Sequence, residues 1–104
     1  MEIWFPHLES RIRFLEPVEF LILVDGKTIR AAIDWSVMKQ LIPLAGVDEQ
    51  NVRDFIQQNR SSLELAMKAH LLARGVPLTR QFVLPLDELR NCIPTGGVDD
   101  VKLH

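Results

Sequence analysis

The chain has 104 residues, 47% of them apolar and 25% charged, a size and mixture that fit one globular domain and exclude both a second domain and a disordered chain. Twelve lysines and arginines against fourteen aspartates and glutamates leave a formal charge of -2, so no net positive field gathers phosphates and general nucleic-acid binding is disfavoured. The single cysteine, Cys92, excludes an internal disulfide and leaves packing to hold the fold, which suits a reducing compartment.

From the start of the chain, Ile3-Trp4-Phe5 precedes Pro6, and Arg11-Ile12-Arg13-Phe14-Leu15 alternates polar and apolar ahead of Pro17. Both runs read as short edge strands, because a neighbouring proline removes a ladder donor. The opening residues lack the basic lead and long apolar stretch of a secretory signal, which points to a cytoplasmic protein. Val18 to Val24 is the strongest strand: Val18, Phe20, Ile22 and Val24 share one face, and Leu21 and Leu23 keep the other apolar, which predicts cover on both faces. Phe20 to Val24 is the longest strongly apolar run, far short of the roughly 20 residues of a membrane-spanning helix. Asp25-Gly26 is a two-residue hairpin turn, and Lys27 to Ile33 returns with Ile29, Ala31 and Ile33 on one face.

Asp34 stands where it can cap a short helix, Trp35 to Ile42, which Pro43 and Gly46 end and whose apolar side is Val37, Met38 and Leu41. The segment from Asp48 to Gly75 is the longest with helical spacing. Val52, Phe55, Ile56, Asn59, Leu63, Ala66, Met67 and His70 recur at steps of three or four along one face, between an Asp48 cap and a Gly75-Val76-Pro77 stop. Ser61-Ser62-Leu63-Glu64 also spells a capping box that would start a second helix after a break near Asn59. The unbroken apolar phase favours one helix, bent there. Arg80 to Leu84 then reads as a strand ended by Pro85, and Leu86 to Arg90 as one helical turn.

These elements give an α+β fold: a small antiparallel sheet, made of the hairpin plus edge strands, packed against one long amphipathic helix and one short helix. Residues 1–90 form the domain, and 91–104, with Pro94, Gly96, Gly97, Asp99 and Asp100, are expected to be a flexible tail. Phe55, Ile56, Leu63 and Met67 are expected to dock on the sheet, at about 1.5 to 3 kcal/mol for each fully buried side chain.

Phe5-Pro6, the strand and turn Phe20 to Gly26, Ala32-Ile33 before a short helix with Leu41, Phe55 with Asn59-Arg60, Glu64, Ala69, Arg74-Gly75, and a closing Phe82 to Leu84 with Asp87 form a pattern over about residues 3–90. In these residues the chain resembles the small bacterial proteins of domain-of-unknown-function family 1488. The resemblance implies a compact α+β bacterial protein, sometimes labelled a regulator, and supplies no catalytic residues. The chain departs from the pattern in its two-proline first segment and its Ser61-Ser62 pair.

Candidate chemistry is sparse. His7, His70 and His104 do not pair with each other or with Cys92 at metal-ligand spacing. His70 is expected at the edge of the helix face with one nitrogen bonded. Cys92 has no nucleophile signature around it, and Ser36, Ser61 and Ser62 lack a Gly-x-Ser-x-Gly elbow. Asp25-Gly26 and Gly96-Gly97 are turn glycines with no strand-to-helix phosphate loop. Asp87, Glu88, Asp99 and Asp100 lack calcium-loop spacing. No cofactor or metal is expected, and the chain reads as a nonenzyme.

Two surfaces remain. Arg53, Arg60 and Arg74 step by seven and fourteen along the long helix, a contact for phosphate or an acidic partner; the competing reading pairs Arg60 with Glu64 one turn on. Trp4, Leu21, Leu23 and Trp35 are apolar residues that one small core leaves over, an interface for a second copy or another protein. Asn59 interrupts the apolar helix face and needs a hydrogen-bond partner, at a loop or at the bend. The leading expectation is a noncatalytic interaction or regulatory module, homodimeric and without membrane contact. The alternative is a nucleic-acid-binding transcription accessory using the arginines.

Overall fold

The computed structural model describes residues 1–6 and 11–93. It is an α+β fold built from strands β1 (Ile3–Trp4), β2 (Val18–Val24), β3 (Lys27–Ile33) and β4 (Gln81–Val83), and helices α1 (Trp35–Leu41), α2 (Glu49–Gln58), α3 (Arg60–Arg74) and α4 (Leu86–Cys92). The sheet order is β1-β2-β3-β4.

The hairpin forms where its sequence places it, pairing Val18 with Ile33 through to Val24 with Lys27. Its turn holds Asp25 at φ 51° and Gly26 at φ 82°, the positive dihedrals that match the right-handed twist of the two strands. The Asp25 carboxylate also accepts from the Glu2 amide at 2.8 Å, and the Asp25 amide donates to the Glu2 carbonyl at 2.8 Å. The turn therefore carries β1 onto the edge of β2, where Ile3 pairs with Val24 and Trp4 with Leu23.

The fourth strand corrects the expectation of an antiparallel sheet, because β4 runs parallel to β3, with Ala31 opposite Phe82. Arg30 donates to the Arg80 carbonyl and Leu84 to the Ala32 carbonyl, both at 2.9 Å. Three helices separate β3 from β4, and a crossover of that kind returns the chain in the direction of the strand it left. The run Arg11 to Leu15 is a loop, not an edge strand. Leu15 sits at φ 67°, the Glu16 amide closes a turn on Arg13 at 3.1 Å, and the Phe14 amide donates to Glu49 at the start of α2. Buried Ile12 is what its alternation supplies to the core.

The single long helix is also corrected. Asp48 and Asn51 cap α2 reciprocally, at 2.8 and 3.0 Å, and the helix stops after Gln58. Asn59 departs to φ -117°, ψ 21°, and its side-chain amide joins its backbone amide on the Phe55 carbonyl, at 3.0 and 2.9 Å. A short amide side chain that competes for a helix carbonyl is the local cause of the break. A second helix does begin here, yet the Ser61 capping box does not start it: Asn59 occupies the N-cap position of α3, and its side chain makes no capping bond to that helix.

Helix α1 follows Asp34, whose side chain makes no cap; its carbonyl alone receives Val37 and Met38, at 3.0 and 3.1 Å. Helix α4 runs past the expected single turn, and buried Leu89 and Ile93 tie it to the core. The domain thus extends at least to Ile93, beyond the boundary expected at residue 90. The remainder of the expected tail lies outside the described residues.

One core results. Val18, Phe20, Ile22, Val24, Ile29, Ala31 and Ile33 on the inner sheet face pack with Val52, Ile56, Leu63, Met67 and Leu71 of the helices. Ile56, Leu63 and Met67 dock as expected, while Phe55 is half-buried.

Candidate functional site

The outer face of the sheet follows from the pairing register. Trp4, Leu23 and Thr28 lie side by side, then Leu21, Arg30 and Gln81, then Glu19, Ala32 and Val83. Every one of these residues is exposed or half-buried. The cover predicted for both faces of β2 is therefore present on the inner face alone, since the helices supply the inner core. Trp4 is 57% exposed beside half-buried Leu21 and Leu23, an apolar corner on an otherwise mixed face.

Trp35, grouped with these residues in the sequence, belongs elsewhere. It is only 4% exposed, because it begins α1 facing the core and Phe14 packs edge-on against its ring at 5.3 Å and 71°. It is a core residue, not an interface residue.

A second apolar surface lies along α3. Leu63, Ala66, Met67 and Leu71 bury one side of this helix, as the spacing predicted. Leu65 and Leu72 are 56% and 60% exposed on the opposite side, with exposed Ala69 between them and exposed Val76 and Leu78 just past the helix end. A surface helix normally carries one apolar stripe; α3 carries two. In the sequence the dominant apolar phase of Leu63, Ala66, Met67 and His70 masks the outer one. The seven-residue step from Leu65 to Leu72 was the available signal.

Between α3 and α4 a carboxylate pins three elements. The His70 Nδ1–H donates to Glu88 Oε1 at 2.8 Å, and Arg74 donates to Glu88 Oε2 at 3.0 Å. The imidazole stacks on Phe82 of β4, centroids 4.4 Å apart and planes within 6°. His70 thus sits at the helix edge with one nitrogen bonded, as expected. A cleft of about 270 Å³ beside it is lined by Ala66, Ala69, Ala73, Asn91 and the free thiol Cys92. Glu88→Ala leaves the nine-tenths-buried His70 side chain without its acceptor, an expected cost of about 1 to 3 kcal/mol. Urea unfolding reads that loss, and amide exchange should quicken in β4 and α4; unchanged exchange there would refute the pinning role.

The arginine stripe does not assemble. Arg53 is on α2, whose course ends at Asn59, so the seven-residue step to Arg60 crosses a break. Arg60 binds Glu64 at 3.0 Å and reaches the Pro6 carbonyl at 3.3 Å, while Arg74 is held by Glu88. Among the described residues, no group of three or more His, Cys, Asp or Glu side chains is arranged to hold a metal ion. His7, His104, Gly96, Gly97, Asp99 and Asp100 lie outside the described residues. No described helix is long and apolar enough to cross a membrane. Comparison with family models, with curated proteins and with solved structures finds no match to this chain.

Proposed function

We propose that the protein is a noncatalytic interaction module, acting in the cytoplasm through apolar surface that it presents to protein, a second copy of itself first. The observation that carries this reading is the two-sided α3, with Leu65 and Leu72 opposite a complete inner face. A small domain gains nothing for its own core from leucines in water, whereas each one covered on association contributes about 1.5 to 3 kcal/mol before the cost of docking. The open sheet corner at Trp4, Leu21 and Leu23 is a further surface of the same kind. The arginine reading has less support, because Glu64 and Glu88 already hold Arg60 and Arg74.

Light scattering on the full chain tests the proposal. The wild-type protein should show a mass above that of one chain at tens of micromolar or below, on the order expected for a small interface, and Leu65→Glu with Leu72→Glu should return it to one chain with unchanged far-ultraviolet dichroism. A wild-type protein that stays a single chain, and that lysine cross-linking in cell extract joins to no other protein, would sink the reading.

A further inference from the structure

We propose that the occupant of the outer α3 stripe is α3 of a second copy, running antiparallel about a two-fold axis, with Leu72 of each copy seated over Ala69 of the other. This rests on the interaction reading above and adds the element that fills the stripe, its direction and its register.

Within α3, Leu65, Ala69 and Leu72 follow one another at steps of four and three, the spacing of a seam that receives another helix. Within that seam a methyl group separates two leucines. A leucine arriving from an opposing helix needs a recess at that level, and one is present: the small side chains of Ala66, Ala69 and Ala73 leave the cleft of about 270 Å³ against α4. Seam and cleft share Ala69, and exposed Ala73 continues the cleft one turn on, so a knob over Ala69 has depth beside it.

Charge selects the direction. Lys68, exposed at the margin of the seam, is its charged residue. With Ala69 level with Leu72 of an antiparallel copy, Lys68 comes alongside Gly75 of that copy, where the last turn of α3 presents carbonyls with partial negative charge. A slipped antiparallel register that levels Ala69 with Leu65 brings the two Lys68 ammonium groups together, an unfavourable like-charge contact. A parallel pair stacks Ala69 on Ala69, leaving a thin layer between leucine layers, and aligns the two helix dipoles. The two-fold axis makes each favourable contact twice. Fifteen residues of α3 span about 22 Å, so the contact is small and the dimer should dissociate on dilution.

The test uses the full chain carrying Cys92→Ser, with Leu65→Cys and Leu78→Cys made separately and then mixed under mild oxidation. The antiparallel register sets Leu65 just beyond the end of α3 in the second copy, where the chain leaves the helix into the segment from Val76 to Leu78, while the two Leu65 positions stand about 16 Å apart along the axis. The mixture should give several-fold more covalent dimer than either variant alone, and Leu72→Lys without cysteines should weaken association about tenfold or more in sedimentation. Leu65→Cys cross-linking to itself as readily as to Leu78→Cys would overturn the antiparallel pairing. If Trp4→Ala dissolves the dimer and Leu72→Lys does not, the α3 pairing fails while the interaction reading stands. If the unaltered chain never dimerises, the pairing fails outright, and only binding to a different protein keeps the broader reading.

Discussion

Replacing Leu63 by alanine will lower the unfolding free energy by about 2 to 5 kcal/mol, whereas Leu65→Ala, two residues along the same helix, will leave the dilute chain within about 0.5 kcal/mol of wild type. Leu63 has no exposed surface and belongs to the same core cluster as Met67 and Leu71. Truncation there removes transfer free energy and leaves a cavity that a close-packed interior fills only in part. Leu65 is more than half exposed, so its removal deletes little that folding had buried. Total stability of a domain this size is about 5 to 15 kcal/mol, so the first variant should lose a large share of its urea midpoint. The measurement belongs at submicromolar concentration, where association does not add to stability. Similar losses at both positions would mean that α3 does not face two ways, and the interaction reading would lose its basis.

The same helix shows what the sequence discloses and what it withholds. The hairpin was fully legible, because alternation over Val18 to Val24 and a turn pair with positive dihedrals are local signals that point to one register. The inner face of α3 was legible for the same reason, since period alone identifies it. The break at Asn59 was not, because apolar phase survives one nonhelical residue and the deciding contact is a side-chain amide on the Phe55 carbonyl. Once the helix is broken, steps counted across it no longer describe a shared face, and the stripe of Arg53, Arg60 and Arg74 dissolves with that assumption.

Tertiary partners hid the remainder. Nothing within Gln81 to Val83 states whether the strand runs with or against β3; the passage through three helices decides that. Arg11 to Leu15 alternates like a strand, yet its amide at Phe14 is taken by Glu49. The pin of Glu88 on His70 joins residues eighteen apart, with neither at a recognisable motif spacing. What was missed at the outer α3 stripe is different in kind: Leu65 and Leu72 were visible, and a second apolar phase on one helix is a weak pattern until the first is seen to fill the core alone.

The two tryptophans should part company when each is truncated. Trp35→Ala is expected to cost about 3 to 5 kcal/mol, enough to bring a domain of ordinary stability close to unfolding, while Trp4→Ala should cost no more than about 1 kcal/mol, the scale of one cross-strand pair. Trp35 is buried at the first turn of α1 and carries the edge-on ring of Phe14. Phe14 belongs to the loop that Glu49 ties to α2, so losing the indole removes the wall against which that loop rests. Trp4 projects from a two-residue strand onto the open face of the sheet, with Leu23 as its pairing neighbour, and most of its ring already meets water. Fluorescence distinguishes them before any unfolding experiment: the Trp4→Ala protein, with Trp35 alone, should emit at shorter wavelength and resist iodide quenching. The converse spectrum, or a larger stability loss at Trp4, would place the buried indole on the sheet instead of under α1. If Trp4→Ala spares stability yet lowers the mass seen by light scattering, the sheet corner is itself part of the contact between copies.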